Sequence, residues 1–274
     1  MTDTVTEAAP STADAGHGMM HGSFIWYELI SPDADASKAF YDAVVGWNIE
    51  ATASFPNGYR MIGRSDGKYA GGILPLTDEM RGHGARPGWL GYIGVDDVDA
   101  TVAGVEGDGG AVLMPAFDIP GVGRVALLAD PQGAPFYVMR GASGEDSDVF
   151  SVDEPQRVRW NELSTDDPDA AIDFYTRQFG WAQEGDMDMG EMGKYRFIQA
   201  GGVGIGAVMP RMPEMPASAW TYYIGVGDID RAAEATTAGG GQILQGPMEI
   251  PGGEYALNAL DPQGASFGLV GPRK

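Results

Sequence analysis

The feature that most constrains this 274-residue chain is that it repeats itself. Trp26-Tyr27-Glu28-Leu29 is answered by Trp160-Asn161-Glu162-Leu163, Phe40-Tyr41 by Phe174-Tyr175, and Gly46-Trp47 by Gly180-Trp181, all at a spacing of 134. Further on, Tyr59-Arg60 matches Tyr195-Arg196, Ile93-Gly94-Val95 matches Ile224-Gly225-Val226, and Asp130-Pro131-Gln132-Gly133 matches Asp261-Pro262-Gln263-Gly264. One fold written twice is the expected architecture. The expected division is a disordered tail over 1–22, a first domain over 23–140, a linker over 141–156 and a second domain over 157–274.

A shorter repeat lies inside each copy, an Asp-x-Asp after a strand-like run: Asp33/Asp35, Asp97/Asp99, Asp167/Asp169 and Asp228/Asp230. The first Asp of each suits a helix N-cap, and Pro168 suits the first helical position. After Asp33, the residues Ala36, Ala39, Phe40, Ala43 and Val44 form an apolar stripe of helical period that Gly46 ends. In the second unit, strands are expected near Ala111–Ile119, Arg124–Ala129 and Pro135–Met139. Pro120-Gly121 and Pro251-Gly252 fit type II turns, and the Asp-Pro-Gln-Gly segments fit type I turns. Each unit therefore reads strand, helix, strand, strand, strand, and the class is α+β.

With 39 acidic against 17 basic side chains, the formal charge of −22 repels phosphate backbones and anionic lipid surfaces, so no nucleic-acid or membrane partner is expected. No apolar run approaches the length of a spanning helix, and the N-terminal residues lack a signal-peptide pattern, so the expected address is cytoplasmic. The absence of cysteine excludes disulfides, thiolate metal sites and cysteine nucleophiles.

A βαβββ unit with an Phe-Tyr…Gly-Trp helix, a capping Asp before it and an Asp-Pro-x-Gly turn before its last strand resembles the vicinal oxygen chelate superfamily. That group holds glyoxalase I, the extradiol dioxygenases, and the fosfomycin- and bleomycin-resistance proteins. The resemblance covers nearly all of residues 23–272. It implies four βαβββ modules paired into two cup-shaped, incomplete-barrel sheets with helices outside, and one pocket per cup. It also implies metal ligands at fixed places, which fall here on Trp26, Trp160, Leu90, Thr221, Tyr137 and Gly268. None of these is a metal ligand of the family's kind, and the three histidines are His17, His21 and His83. The expectation is therefore no metal and no cofactor, with the metal-free, bleomycin-resistance-like members as the nearer relatives.

Strand alternation puts Trp26 and Glu28 on one face and Tyr27 and Leu29 on the other. If the ligand position faces the cup, Glu28 and its counterpart Glu162 do too. Desolvation in an aromatic-walled pocket raises a carboxylate pKa, at about 1.4 kcal/mol per unit, and makes a general base near neutrality. The plainer reading is a buried glutamate held by Arg60, Arg196 or tyrosine hydroxyls. Trp26 and Trp160 are candidates for stacking on a planar ligand, or simply fill the space of a lost metal. Tyr92, Tyr223 and Tyr137 fall on the cup side as hydroxyl donors, with Tyr137 expected beside Glu28 and Glu162 in any chemistry. Arg60 and Arg196 are candidates for holding an anionic ligand, or else pair on the surface. Trp47, Trp181, Phe40 and Phe174 read as helix-to-sheet packing. Asp118 and Glu249 read as solvated turn flanks. The Gly16–Gly22 segment has a soft-metal composition, and the Met209–Pro216 loop has thioethers for a pocket mouth or serves as a link.

Three functions follow from this reading. The first is a metal-independent protein that binds a small, largely apolar organic molecule in a cup. The second is a metal-independent lyase, isomerase or hydrolase with Glu28 as base. The third is an atypical carboxylate-only metal enzyme of the glyoxalase or dioxygenase type. Gly268 in place of Tyr137, and Asn161 in place of Tyr27, make the second cup the chemically poorer one, or one shaped for something else. The chain is expected to be a two-domain monomer or a homodimer.

Overall fold

A computed structural model describes residues 21–274; residues 1–20, and with them His17 and most of the Gly16–Gly22 segment, lie outside the described residues. The first copy runs β1 (Phe24–Ser31), α1 (Ala34–Val45), β2 (Asn48–Ile49), β3 (Arg60–Gly63), β4 (Tyr69–Pro75) and a short α2 (Asp78–Gly82). It continues with β5 (Gly88–Gly94), α3 (Val98–Gly107), β6 (Ala111–Ile119), β7 (Gly123–Ala129) and β8 (Pro135–Gly141). The second copy opens with β9 (Val158–Thr165), α4 (Pro168–Phe179), β10 (Ala182–Asp188), β11 (Lys194–Ala200) and β12 (Val203–Pro210). It closes with β13 (Ala219–Gly225), α5 (Ile229–Ala238), β14 (Gln242–Glu249), β15 (Tyr255–Leu260) and β16 (Ser266–Gly271).

Each copy is one eight-stranded mixed sheet, ordered β2-β3-β4-β1-β5-β8-β7-β6 and β10-β11-β12-β9-β13-β16-β15-β14. Within a βαβββ module the first strand pairs parallel with the last, and the two modules of a sheet meet through an antiparallel pair, β1 with β5 and β9 with β13. The fold is thus α+β, with paired βαβββ modules and helices outside the cups, as the family resemblance implies. No helix among the described residues is long and apolar enough to cross a membrane.

The Asp-x-Asp motif does two jobs. The first aspartate caps its helix: Asp33 Oδ1 accepts from the amides of Asp35 and Ala36, Asp97 from Ala100, Asp167 from Ala170, and Asp228 from Asp230. The second, in the first helical turn, pairs with an arginine on or beside a strand: Asp35 with Arg60, Asp99 with Arg124, Asp169 with Arg196, and Asp230 with Arg273. Gly46 and Gly180 end α1 and α4 in the left-handed conformation, at φ of 83° and 68°.

The backs of the two sheets and their helices share one core. Phe24 packs on Trp181, Trp220 and Tyr222 of the other copy, and Phe40 on Phe267. Close approach is possible because Gly91 has no side chain: a Cβ there would lie 2.9 Å from the Tyr222 ring, whose hydroxyl instead accepts from Gly91 N–H at 2.7 Å. Helix α1 packs on α5 and α3 on α4. The segment after β8 is tied down at Arg64, whose buried guanidinium spans Asp66 and Asp148, and at Val149, which enters the core.

Candidate functional site

Residues paired across neighbouring strands share a face of a sheet. In the first copy one such row is Met61–Gly72–Glu28–Leu90, and a second is Trp26–Tyr92–Tyr137–Leu127–Met114. These rows line the face away from the helices. The alternate row, Arg60–Ile73–Leu29–Trp89, backs onto them. Glu28, Trp26, Tyr92 and Tyr137 therefore stand together in the first cup.

Glu28 is 3% exposed. The Tyr92 hydroxyl donates to Glu28 Oε2 at 2.9 Å, whereas Oε1 is buried without a partner. The Tyr92 and Tyr137 rings stack at 4.2 Å between centroids. Burial raises the Glu28 carboxyl from 4.5 to about 7, against the opposing pull of the Tyr92, Tyr59 and Tyr137 hydroxyls. Burial, and next the negative charge of Glu28, push the three phenols upward, so they remain proton donors. The site joins a carboxyl that can gain or lose a proton near neutrality to a ring of hydroxyls that cannot.

Tyr59 of the first cup, like its counterpart Tyr195 of the second, is a site residue that sequence reasoning missed. Its hydroxyl accepts from Trp26 Nε1–H at 2.8 Å, and its ring fills the space a side chain at Gly72 would take, 2.1 Å from a Cβ built there. Exposed Phe55 stands edge-on to it at 5.9 Å. Its signal in the sequence is the repeated Tyr-Arg pair, Tyr59-Arg60 and Tyr195-Arg196. Arg60 and Arg196 are not in the cups: each lies on the helix face and pairs with the aspartate of a helix first turn. Of the two roles weighed for them, holding an anion or pairing on the surface, the geometry shows the ion pair, and a single step of strand parity separates each arginine from the cup-side tyrosine before it.

The second cup repeats the plan with changes. Its rows are Phe197–Ala207–Glu162–Thr221 and Trp160–Tyr223–Gly268–Asn258–Gln245. Tyr195 donates to Glu162 Oε2 at 2.8 Å, Tyr223 lies 3.3 Å from both carboxylate oxygens, and Trp160 Nε1–H donates to Tyr195 at 2.7 Å. Burial raises Glu162 as well, opposed by the Tyr195 and Tyr223 donors. The exchange of Tyr27 for Asn161 does not touch either cup. Both residues sit in the shared core, where the Tyr27 hydroxyl donates to Asn161 Oδ1 at 2.8 Å.

The positions where the superfamily's metal ligands are expected hold an indole, an aliphatic chain and a phenol in the first cup (Trp26, Leu90, Tyr137). The second holds an indole, a hydroxyl and a glycine (Trp160, Thr221, Gly268). Glu28 and Glu162 each stand alone as a carboxylate, and no three His, Cys, Asp or Glu side chains cluster as a metal site among the described residues. This donor set does not fit a three- or four-ligand metal centre. His21 lies beside Asp96 and Gln178, away from both cups.

Comparison with known proteins places this geometry. "Putative glyoxylase CFP32" of Mycobacterium tuberculosis (strain CDC 1551 / Oshkosh) is 35% identical over 250 residues, 90% of this chain and 94% of that protein. "Anthracycline biosynthesis protein DnrV" of Streptomyces peucetius is 33% identical over 266 residues, 91% of this chain and 93% of that protein. The Mn(II)-bound glyoxalase of Novosphingobium aromaticivorans shares the fold, with a TM-score of 0.62 and 18% identity over 94% of this chain and 83% of its own. Residues 23–138 and 157–269 each match the family described as the Glyoxalase/Bleomycin resistance protein/Dioxygenase superfamily, and the chain belongs to that family as two tandem modules.

Proposed function

We propose that the first cup binds a small, largely apolar aromatic molecule without a metal, and that Glu28 meets it through a hydrogen bond or a proton. The observation that carries this reading is the unpartnered Glu28 Oε1, buried inside a wall of Trp26, Tyr59, Tyr92 and Tyr137. A buried acceptor left open in a protein is stabilised by a ligand that donates to it. A planar phenol meets both demands, with π-faces for the rings and an O–H for the carboxylate. The likeness to a protein named for anthracycline biosynthesis supports an aromatic ligand, because anthracyclines are polycyclic and phenolic.

A second reading is turnover by a lyase, isomerase or hydrolase with Glu28 as general base, and the carboxyl raised to about 7 favours it. In that chemistry Glu28 takes a proton from the bound molecule while Tyr92 and Tyr137 donate to the charge that develops.

The test is titration of the protein with 2,6-dihydroxyanthraquinone, whose hydroxyls are free to donate, read by tryptophan fluorescence. Saturable quenching that Trp26→Ala weakens at least tenfold supports binding, and absence of saturation overturns it. Candidate substrates then separate the two readings: Glu28→Gln abolishes turnover with affinity retained if the residue is a base.

A further inference from the structure

We infer that the second cup is a separate binding site for a neutral small molecule rich in hydroxyl or amide groups, chemically unlike the ligand of the first. This goes beyond the reading of Glu28 and rests on a different set of residues. Three aliphatic side chains on the inner face of the first cup are replaced at matched positions by hydrogen-bonding ones. Leu90 becomes Thr221, Leu127 becomes Asn258, and Met114 becomes Gln245. All three replacements lie on the rows that carry Glu162 and Tyr223, since Thr221 is opposite Glu162, Asn258 opposite Gly268, and Gln245 opposite Asn258.

The same face loses bulk. Gly268 stands for Tyr137, Ala256 for Val125 and Val270 for Met139, and the Tyr223 ring leans over the space at Gly268, 2.4 Å from a Cβ built there. Asn258 Oδ1 is buried and has no partner. Glu162 is the opposite case: Tyr195 and Tyr223 hydroxyls face both of its oxygens, which leaves it little call for a cationic partner. An open amide oxygen, a hydroxyl and a second amide around a satisfied carboxylate make a set for reading a neutral polar molecule by hydrogen bonds. The buried Asn258 Oδ1 is costly unless something pairs with it, and a ligand with O–H or N–H donors does so, with half-buried Thr221 and exposed Gln245 open to the same ligand.

The two cups have built-in reporters. The indole N–H of Trp26 is bonded to Tyr59, and that of Trp160 to Tyr195. We would label the full chain with 15N-tryptophan and titrate it with methyl glucoside and with N-acetylglucosamine. The expected result is a saturable shift of the Trp160 indole signal with at least one of the two, and a Trp26 signal that does not move. The double variant Asn258→Leu with Gln245→Met, which restores the first cup's residues, should weaken that response at least tenfold. Thr221→Val, nearly isosteric, serves as the milder variant, and an unshifted Trp26 signal shows that either variant is folded. No saturable shift of Trp160 with both probes, equal shifts of both indoles, or an undiminished response in the folded variants would each overturn the inference. None of these outcomes bears on the anthraquinone titration of the first cup.

Discussion

The Tyr41 hydroxyl of the first copy donates to Asp261 Oδ2 of the second at 3.1 Å, and the matched Tyr175 returns the bond to Asp130 of the first at 3.2 Å. Each aspartate opens an Asp-Pro-Gln-Gly turn and spends its other oxygen on that turn, Asp130 Oδ1 accepting from Gln132 and Ala134, and Asp261 Oδ1 from Gln263 and Ala265. Trp89 and Trp220 donate to the same tyrosine oxygens. Tyr41→Phe leaves a buried carboxylate oxygen and an indole N–H unpaired, and should cost about 2 kcal/mol in urea unfolding. Tyr175→Phe should cost a similar amount. A double-mutant cycle of Tyr41→Phe with Asp261→Asn should show coupling of about 1 kcal/mol.

Glu28 gives a pH dependence of defined sign. Its folded carboxyl is raised to about 7 from 4.5, so the folded state holds the proton more tightly than the unfolded chain does. The contribution is fully present below about pH 4.5 and is lost as pH rises through about 7, by about 3 kcal/mol at most. Glu28→Gln carries no charge to bury. Thermal melts should find the variant more stable than the parent at pH 8, with the advantage shrinking toward pH 5.

Strand parity separates Tyr59 from Arg60. Tyr59→Ala removes the partner of Trp26 and part of the cup wall, and should weaken 2,6-dihydroxyanthraquinone binding at least tenfold. Arg60→Ala acts on the helix face, where its partner Asp35 is largely exposed. It should leave that affinity within twofold, and equal losses in both variants would contradict the assignment of faces.

Gly72→Ala tests the packing of the Tyr59 ring. A Cβ at this position lies 2.1 Å from the Tyr59 hydroxyl oxygen, so the ring must move and the Trp26–Tyr59 hydrogen bond must break. The Trp26 indole signal should shift while that of Trp160 stays in place. Probe affinity should fall with little change of melting temperature, because the displaced ring stands at the cup wall and not in the shared core.

The repeats made the architecture legible. Asp33 and Asp167 mark helix starts by local chemistry, Gly46 and Gly180 mark helix ends, and strand alternation puts Trp26 and Glu28 on one face without any knowledge of the partner strand. Two kinds of information were not local. Between Tyr59 and Arg60 the strand begins, and parity there depends on which backbone groups pair with β4, a property of two segments. The roles of Tyr27, Asn161, Tyr41 and Asp261 depend on the contact between copies, which repetition implies but does not orient. The polar character of the second cup was legible only in part. The loss of Tyr137 at Gly268 is visible in an alignment of the copies, whereas the gain of Thr221, Gln245 and Asn258 has meaning only once the pairing of β14, β15 and β16 puts them on one wall.

The reciprocal tyrosine–aspartate bonds also set an order for synthesis. When the first copy leaves the ribosome, Tyr41 has no partner and Asp130 has no tyrosine, because Asp261 and Tyr175 are still to be made. The face of Phe24, Tyr27 and Phe40 waits uncovered for most of the second copy. Domains tend to fold in order as they emerge. Here the first half lacks its buried partners until the Asp261 turn of the second copy has been made, so the shared core closes only with both copies present.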